Sequence, residues 1–501
     1  MNSFSYLLDG FSQSLTLENL AAAVIGAIVG MIIGALPGMG SITGISILLP
    51  LTFKMNPTTA VIMLAAIYYS NMYGGAFTGI LLNIPGDEAA VMTTIDGYAM
   101  SKKGKAGKAL FASIFASFIG GTIGIIILTF LGPWLSDIGL MFGPAEMAAL
   151  ILLALTSLGW ILGGDPVKGL VSSGIGMLLA TIGVDLAGGM PRYTFGSINL
   201  LSGVGFIPLA IGMFGLSQVI EMMTAKDETE MIEEVKHLTI RESLPNREEA
   251  KTIITQSGRD GILGTFVGVL PGAGATTAAF LTYVMEKRIN KNRDKIGTGS
   301  LEGITAAEAA NNAASAGAFA PLLSLGIPGS GTTAVLLGGL MMWGLKPGPL
   351  LFTENPDFVW GLISSMYVGN IICLLIGIAT IPFMIHILKV PTSIMIPVVA
   401  GICVISAYCN GNNMFDVWFM VGVGVIAYLL SKANYPMAPI LLAFVLTPTF
   451  EKKVTQALNI SNGSFSIFWT SPIALVILIL TVLFVLLPVL FKIIEKKKQS
   501  H

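Results

Sequence analysis

Apolar runs long enough to cross a lipid bilayer fill most of this 501-residue chain. A helix needs about 20 mostly apolar residues to span the hydrocarbon core of a membrane. At that depth the backbone must be hydrogen-bonded within the protein, which only helices and closed barrels achieve. The chain is therefore predicted to be an all-α polytopic membrane protein with about 10 to 12 membrane segments. The clearest spans are 57–73, 109–132, 141–163, 168–187, 201–222, 361–388, 391–409, 414–431, 436–450 and 466–491.

Composition narrows the class of protein further. Hydrophobic residues make up 54% of the chain and charged residues only 11%, against roughly 25% charged in a soluble domain. The net charge is −1 and no basic domain is present, so nucleic acid is not an expected partner. The sequence contains no HExxH, Gly-x-Ser-x-Gly or Walker A motif. We therefore expect neither an enzyme nor ATP-driven transport by this chain, and no cofactor.

An internal repeat divides the chain into two related halves. GALPGMGSITG at 34–44 recurs as GVLPGAGATTA at 268–278. GGAFTGILLNIPG at 74–86 recurs as AGAFAPLLSLGIPG at 316–329, with one residue inserted. The two motifs keep the same order and a similar spacing in each half. Such repeats are the usual architecture of secondary transporters.

Lysine and arginine mark the cytoplasmic loops of a membrane protein. Basic residues cluster in 101–108, in 223–260, in 286–300 and in the tail from Lys492. Placing these stretches inside puts most of the 27 basic residues on the cytoplasmic side. Residues 261–285 then enter and leave the membrane on one side, as a re-entrant helical hairpin with Pro271 to Gly274 at its tip.

The relative orientation of the halves follows from counting spans. Counting back from the basic tail places 346–357 outside, whereas its first-half partner, 101–108, lies inside. The chain is therefore predicted to contain two inverted-topology repeats with Pro-Gly-tipped hairpins, an external N-terminus and a cytoplasmic C-terminus. Its parts are 1–222, the first repeat with its following spans, 223–260, a cytoplasmic amphipathic arm, and 261–501, the second repeat with its following spans.

The Pro-Gly breaks are the predicted substrate site. Broken helices free backbone groups, which are tolerated at membrane depth only inside protein or beside a wet cavity. Hydroxyl residues follow the breaks and can begin half-helices, whose N-termini attract anions. The alternative is that these are ordinary kinks. The predicted ligands are Pro37, Gly38, Gly40, Ser41, Thr43, Tyr73, Asn83, Pro271, Gly272, Gly274, Thr276, Pro328, Gly329, Ser330 and Thr332.

Polar residues upstream of each Ile-Pro-Gly break are the predicted site of a coupling cation. Thr305, Glu308 and Asn312 fall on one helix face at spacings of three and four. Hard cations prefer oxygen ligands, and the predicted ligands are Asn71, Asn311 and Asn312. The alternative role is hydrogen bonding between helices. The sequence leaves the choice between Na⁺ and H⁺ open.

These motifs resemble the large membrane subunit of the tripartite tricarboxylate transporters, the TctA family, from about residue 19 to 490. The resemblance implies a bacterial inner-membrane permease that works with a small membrane subunit similar to TctB and an extracytoplasmic solute-binding protein similar to TctC. It also implies uptake of carboxylates such as citrate, driven by an ion gradient. The family's Pro-Glu-Ala-Ala-Asn-Asn-Ala motif has Ala307 in place of its proline here.

The sequence thus favours the permease subunit of a secondary transporter for a di- or tricarboxylate or a related organic anion. In that mechanism one repeat-built unit moves against a scaffold, by an elevator or a rocking motion. Two alternatives remain at this point. One is a single-component, ion-coupled carboxylate carrier, and the other is a membrane scaffold or channel without a coupled site.

Inversion can be tested by the side from which two engineered cysteines react. With the halves inverted, Lys103→Cys reacts with a membrane-impermeant thiol reagent only from the cytoplasm. Glu354→Cys, beside Asn355, reacts only from outside. Inside-out and right-side-out vesicles supply the two sides. Labelling of both positions from one side would contradict the inverted arrangement.

Overall fold

The computed structural model describes residues 3–36, 39–161, 166–185, 189–224, 239–383 and 392–483. These residues are helical apart from loops and one antiparallel ribbon of β1 (Gly183–Val184) and β2 (Pro191–Arg192). Six described helical segments are long and apolar enough to cross a bilayer. The prediction of an all-α, multi-pass membrane protein is confirmed.

The helices before the central polar stretch form the first half of the protein. A π-helical turn, Ile211–Leu216, joins the last two of them. They are α1 (Ser3–Ser14), α2 (Leu17–Gly34), α3 (Ser41–Leu48), α4 (Pro57–Leu82), α5 (Val91–Lys102), α6 (Ala106–Leu140), α7 (Pro144–Ile161), α8 (Pro166–Ala180), α9 (Phe206–Ala210) and α10 (Ser217–Thr224).

The second half follows a polar segment whose residues 225–238 lie outside the described part. Its helices are α11 (Ile240–Ser243), α12 (Arg247–Val269), α13 (Gly274–Ile289), α14 (Leu301–Gly317), α15 (Phe319–Leu325), α16 (Gly331–Met342), α17 (Leu351–Glu354), α18 (Pro356–Thr380), α19 (Thr392–Gly411), α20 (Met414–Lys432), α21 (Ala438–Ile460), α22 (Ile467–Thr470) and α23 (Pro472–Leu483).

Helix α4 lies at the centre of the fold. Protein buries 94% of its apolar stretch, against 22% for α20, whose apolar surface faces outward. Asn56 starts α4 by accepting a hydrogen bond from the backbone N–H of Thr58, and Pro57 fills the first helical position. Glycines on α2 let the two backbones approach closely, since a Cβ on Gly34 would lie 2.2 Å from the carbonyl oxygen of Asn71.

The second half repeats this packing with α12 against α14. A Cβ on Gly268, the repeat partner of Gly34, would lie 2.3 Å from the carbonyl oxygen of Ala314. The glycine of each Ile-Pro-Gly motif lies against the same helix end. A Cβ on Gly86 would lie 1.9 Å from the carbonyl oxygen of Gly34, and one on Gly329 would lie 2.7 Å from that of Gly268. The two halves therefore share one packing scheme.

These contacts correct the alignment of the second motif. Gly74 packs against the carbonyl oxygen of Met31, and Gly317 against that of Thr265, the repeat partner of Met31. Asn83 and Gly326 both end their helices in the left-handed region, at φ 63° and 69°. Residues 74–86 thus match 317–329 without the inserted residue. Both halves contain the letters Gly-Ala-Phe, and matching those letters shifts the alignment by one residue. The backbone contacts show which residues of the two halves correspond.

The boundary predicted between the arm 223–260 and the second repeat falls inside helix α12. Asn246 and Glu249 form a capping box that starts this helix, which continues without a break to Val269. Although polar, Gln256 and Asp260 are buried, because α12 packs against α6 and α14. The arm therefore ends before Arg247. The orientation of the halves relative to the membrane sides stays a prediction.

The contact between each Ile-Pro-Gly glycine and its helix end predicts a loss of stability on substitution. Gly86→Ala and Gly329→Ala place a Cβ against backbone that cannot move aside, and such overpacking costs about 1–3 kcal/mol. Both variants should melt at a lower temperature than the wild type in detergent. Gly258→Ala on α12 is the control, because a Cβ there meets open space. Wild-type melting of both loop variants would contradict the packing scheme.

Candidate functional site

Each Pro-Gly break ends one helix and precedes the start of another. Helix α2 ends at Gly34 and α3 begins at Ser41, while Pro37 and Gly38 between them lie outside the described residues. In the second half, Gly272 and Gly274 have φ values of 78° and 63°, which glycine adopts without strain. The sequence-predicted helix breaks are confirmed.

The loops that follow these breaks meet between the two halves. The hydroxyl oxygens of Ser41 and Thr332 are 2.9 Å apart, and those of Tyr68 and Ser330 are 3.0 Å apart. The backbone N–H of Ser41 donates to Asp87 Oδ2 at 3.0 Å. We call these five residues the tip cluster.

Two glycines complete the surroundings of the tip cluster. A Cβ on Gly40 would lie 3.1 Å from Asp87 Oδ2, and one on Gly274 would lie 3.6 Å from the Cβ of Ser330. All four breaks therefore contribute to one region. It combines hydroxyls, backbone N–H groups and one carboxylate, which are the groups that bind carboxylates and cations.

Two members of the tip cluster also cap helices. Ser330 accepts from the backbone N–H of Thr333 at 3.2 Å, and the Thr333 hydroxyl accepts from the N–H of Ser330 at 2.8 Å. This capping box starts α16. Asp87 accepts from the N–H of Ala89 at 3.0 Å as well as from Ser41. In this conformation, protein groups therefore occupy N–H donors that were predicted to face a substrate.

The tip cluster is closed to solvent on its hydroxyl side. Ser41, Tyr68, Ser330 and Thr332 are exposed by 4%, 1%, 6% and 3%. Thr332 belongs to the second half and Ser41 to the first, so the hydrogen bond between them joins the halves directly. Solvent therefore has little access to these hydroxyls in this conformation.

Other predicted substrate residues lie at the edge of this region or apart from it. Thr43 points its hydroxyl at the carbonyl oxygen of Phe214, 3.4 Å away. Tyr73 donates instead to Asn370 Oδ1 at 2.8 Å, and Asn83 is an exposed helix end. Pro271 and Thr276 are partly exposed on the second hairpin, while Gly272, Pro328 and Gly329 are buried beside their helix ends.

The predicted cation ligands form two groups. Asn312 Nδ2 donates to Asn311 Oδ1 at 2.6 Å and to the carbonyl oxygen of Glu308 at 3.1 Å. Asn71 Nδ2 donates to the carbonyl oxygen of Met39 at 3.4 Å, beside the first tip. The hydrogen bonds of the described residues do not link Asn71 to the other two. Among those residues no group of three or more His, Cys, Asp or Glu side chains could hold a metal ion.

Asp96 is a buried carboxylate that sequence reasoning missed. It accepts from the N–H groups of Gly297, Gly299 and Ser300 at 2.8–3.0 Å and from the Tyr283 hydroxyl at 2.8 Å. It thereby fixes α5 of the first half to the loop before α14. The signal was the Gly-Thr-Gly-Ser loop, whose glycines have φ values of 96° and 100° and can turn N–H groups toward an anion.

All buried charges in the described part of the chain are acidic. Asp96, Asp260, Glu286 and Glu308 are buried, whereas no described lysine or arginine is. An anionic substrate entering this interior would therefore meet like charge. Uncompensated like charge is costly at membrane depth.

The chain is similar to proteins of one known family. The model of the tripartite tricarboxylate transporter TctA family matches residues 20–442. Two proteins of Agrobacterium vitis are similar to the chain. The uncharacterized 52.8 kDa protein in TAR-I ttuC' 3'region is 36% identical over 475 residues, covering 95% of this chain and 94% of that protein. The uncharacterized protein in TAR-II ttuC' 3'region is 37% identical over 236 residues, covering 47% of this chain and 98% of that protein.

No solved structure matches the chain. The family match covers both Pro-Gly hairpins, both Ile-Pro-Gly loops and therefore every member of the tip cluster. It agrees with the resemblance that the repeated motifs carry. The chain belongs to the tripartite tricarboxylate transporter TctA family.

Proposed function

We propose that this chain is the permease subunit of a binding-protein-dependent secondary transporter that imports a di- or tricarboxylate or a related organic anion. Family membership makes the chain a component of a tripartite tricarboxylate transporter. Its helices make it a multi-pass membrane protein. The observation that carries the finer assignment is the tip cluster, where breaks from both halves meet.

The chemistry of the tip cluster supports a carboxylate ligand. Asp87 bonds the N–H of Ser41 at the start of α3, so the site already accommodates one carboxylate group. Substrate carboxylates would take these N–H and hydroxyl donors when the loops part and Asp87 moves away. Helix N-termini favour such anions through their free N–H groups and partial positive charge.

Burial of the tip cluster supports alternating access. The Ser41–Thr332 hydrogen bond joins the halves in a closed arrangement, which must open to admit substrate from either side. Whichever motion the protein uses, admitting substrate would separate these two hydroxyls. The excess of buried carboxylates supports co-transport with Na⁺ or H⁺, for which Asn71, Asn311 and Asn312 supply neutral oxygens.

The partners and location in this proposal come from the family. A small TctB-like membrane subunit and an extracytoplasmic TctC-like binding protein would work with the chain in the bacterial inner membrane. The inverted arrangement would place the N-terminus outside and the C-terminus in the cytoplasm. The hydroxyl and backbone donors do not distinguish among carboxylates. The proposal therefore names a class of substrate and no single compound.

Reconstitution tests the proposed function. Proteoliposomes containing this chain and the small subunit should accumulate labelled carboxylate only when the loaded binding protein and an inward Na⁺ or H⁺ gradient are present. Vesicles with the ion gradient collapsed by an ionophore are the matched control. Melting of the binding protein with a panel of carboxylates selects the labelled substrate beforehand.

Two outcomes would contradict this function. Uptake by the chain alone, undiminished without binding protein, would indicate a single-component carrier. Absence of gradient-dependent uptake with all three components present would indicate a scaffold or channel.

A further inference from the structure

The four buried carboxylates differ in what surrounds them. Asp260 and Glu286 both pair with the half-exposed guanidinium of Arg259. Asn290 also donates to Glu286 Oε2 at 2.6 Å. Asp96 has three backbone N–H donors, as described above. Asp260 and Glu286 therefore share a cationic partner, and Asp96 has fixed backbone donors.

Glu308 on α14 has neither a cationic partner nor a backbone donor on its carboxylate among the described residues. Its Oε1 accepts from the hydroxyl of Thr93, and its Oε2 accepts from the hydroxyl of Ser117 at 3.0 Å. The side chain of Asn311 lies beside it, and its Nδ2 has no hydrogen-bond partner among the described residues. All three residues are fully buried, as is Glu308. A full charge in such surroundings is costly unless a cation neutralises it.

The neighbours of Glu308 suit a change of charge. A hydroxyl can donate to an ionised carboxylate, accept from a protonated one, or offer its oxygen to a metal ion. An amide can turn to present its oxygen instead of its nitrogen. The fixed N–H donors around Asp96 cannot reverse in this way. The neighbours of Glu308 can therefore contact its carboxylate both when a cation is absent and when one is bound.

Buried oxygens without hydrogen-bond partners flank Glu308 on its own helix face. Thr305 Oγ1 lies about one turn before it and Asn312 Oδ1 about one turn after it, and neither has a partner in the described residues. Buried polar atoms of this kind are normally satisfied by water or an ion. These atoms therefore extend the polar surroundings of Glu308 along α14.

The charged groups near Glu308 do not neutralise it. Asp87 and Tyr73 lie close enough to interact with it electrostatically, and neither brings positive charge. On the packed helices, Asp96 of α5, Asp260 of α12 and Glu286 of α13 are acidic. The basic groups Arg259 and Lys108 pair with other carboxylates. The remaining basic residues of these helices are exposed: Lys102, Arg247, Lys251, Lys287 and Arg288. The buried charge around Glu308 is therefore negative, which favours a cation.

We propose that Glu308 is the charged ligand of a Na⁺ site formed by α5, α6 and α14, where the ion neutralises the carboxylate. Thr93 belongs to the first half and Glu308 to the second, so an ion between them would bias how the halves sit together. The coupling role rests on the proposed function, whereas the binding site itself does not.

Ion-dependent melting of the purified full chain tests the site without any transport. The wild type should melt at a higher temperature as Na⁺ replaces choline at fixed pH and ionic strength, because a bound cation lowers the cost of burying the carboxylate. In Glu308→Gln this ion-dependent increment should disappear. Glu302→Gln, on the same helix but partly exposed, should keep it.

A milder variant keeps the test informative if Glu308→Gln does not fold. Ser117→Ala removes one neutral neighbour and should raise the half-saturating ion concentration by several-fold, or about tenfold for each 1.4 kcal/mol of lost ion binding.

Two results would overturn the cation site. One is a wild type whose melting does not respond to Na⁺, and the other is an unchanged Na⁺ response in both the Glu308 and the Ser117 variants. Failure of uptake in proteoliposomes, with ion-dependent melting intact, would instead overturn the proposed transport function and leave this site standing.

Discussion

The packing of both halves depends on one kind of backbone contact. The glycine of an Ile-Pro-Gly loop lies against a carbonyl oxygen near the end of the helix that precedes the Pro-Gly break. Gly86 meets Gly34 in this way, and Gly329 meets Gly268. No residue with a side chain fits at such distances. Each contact places the Ile-Pro-Gly loop beside the Pro-Gly break of the same half. Ser330 and Asp87 therefore stand beside the tips, where caps, hydroxyls and freed backbone groups collect.

Electrostatics then sets the conditions under which an anion can use this region. The described interior buries four carboxylates and no basic side chain. Asp260 and Glu286 share one arginine and Asp96 has fixed N–H donors, whereas the carboxylate of Glu308 accepts from two hydroxyls. The tip cluster offers donors for a carboxylate while Asp87 repels it. In the proposed permease, anion and cation would move together, because each would lower the cost of burying the other.

Much of this organisation was predictable from local pattern. Apolar length predicted the helices, and the repeated Pro-Gly motifs predicted where they end, because proline and glycine act on their own backbone. The hydroxyl residues that follow the breaks predicted Ser41, Ser330 and Thr332 as site residues, and the structure brings these three together.

Tyr73 and Thr43 bond elsewhere because helix rotation in the packed protein decides side-chain direction. Asp96 was missed because its donors come from a loop about 200 residues away, and α12 was cut short because its polar residues face other helices. Such long-range contacts leave no periodic trace in a single sequence.

The central claim is that the two halves meet at the tip cluster and must part there during transport. A disulfide between Ser41→Cys and Thr332→Cys, whose native oxygens are 2.9 Å apart, tests it directly. Cys373, Cys403 and Cys409 are first replaced, and uptake is compared in the same variant before and after oxidation. The account predicts that oxidation stops uptake, that reduction restores it, and that single-cysteine variants ignore the oxidant. Undiminished uptake with the disulfide formed would contradict the account.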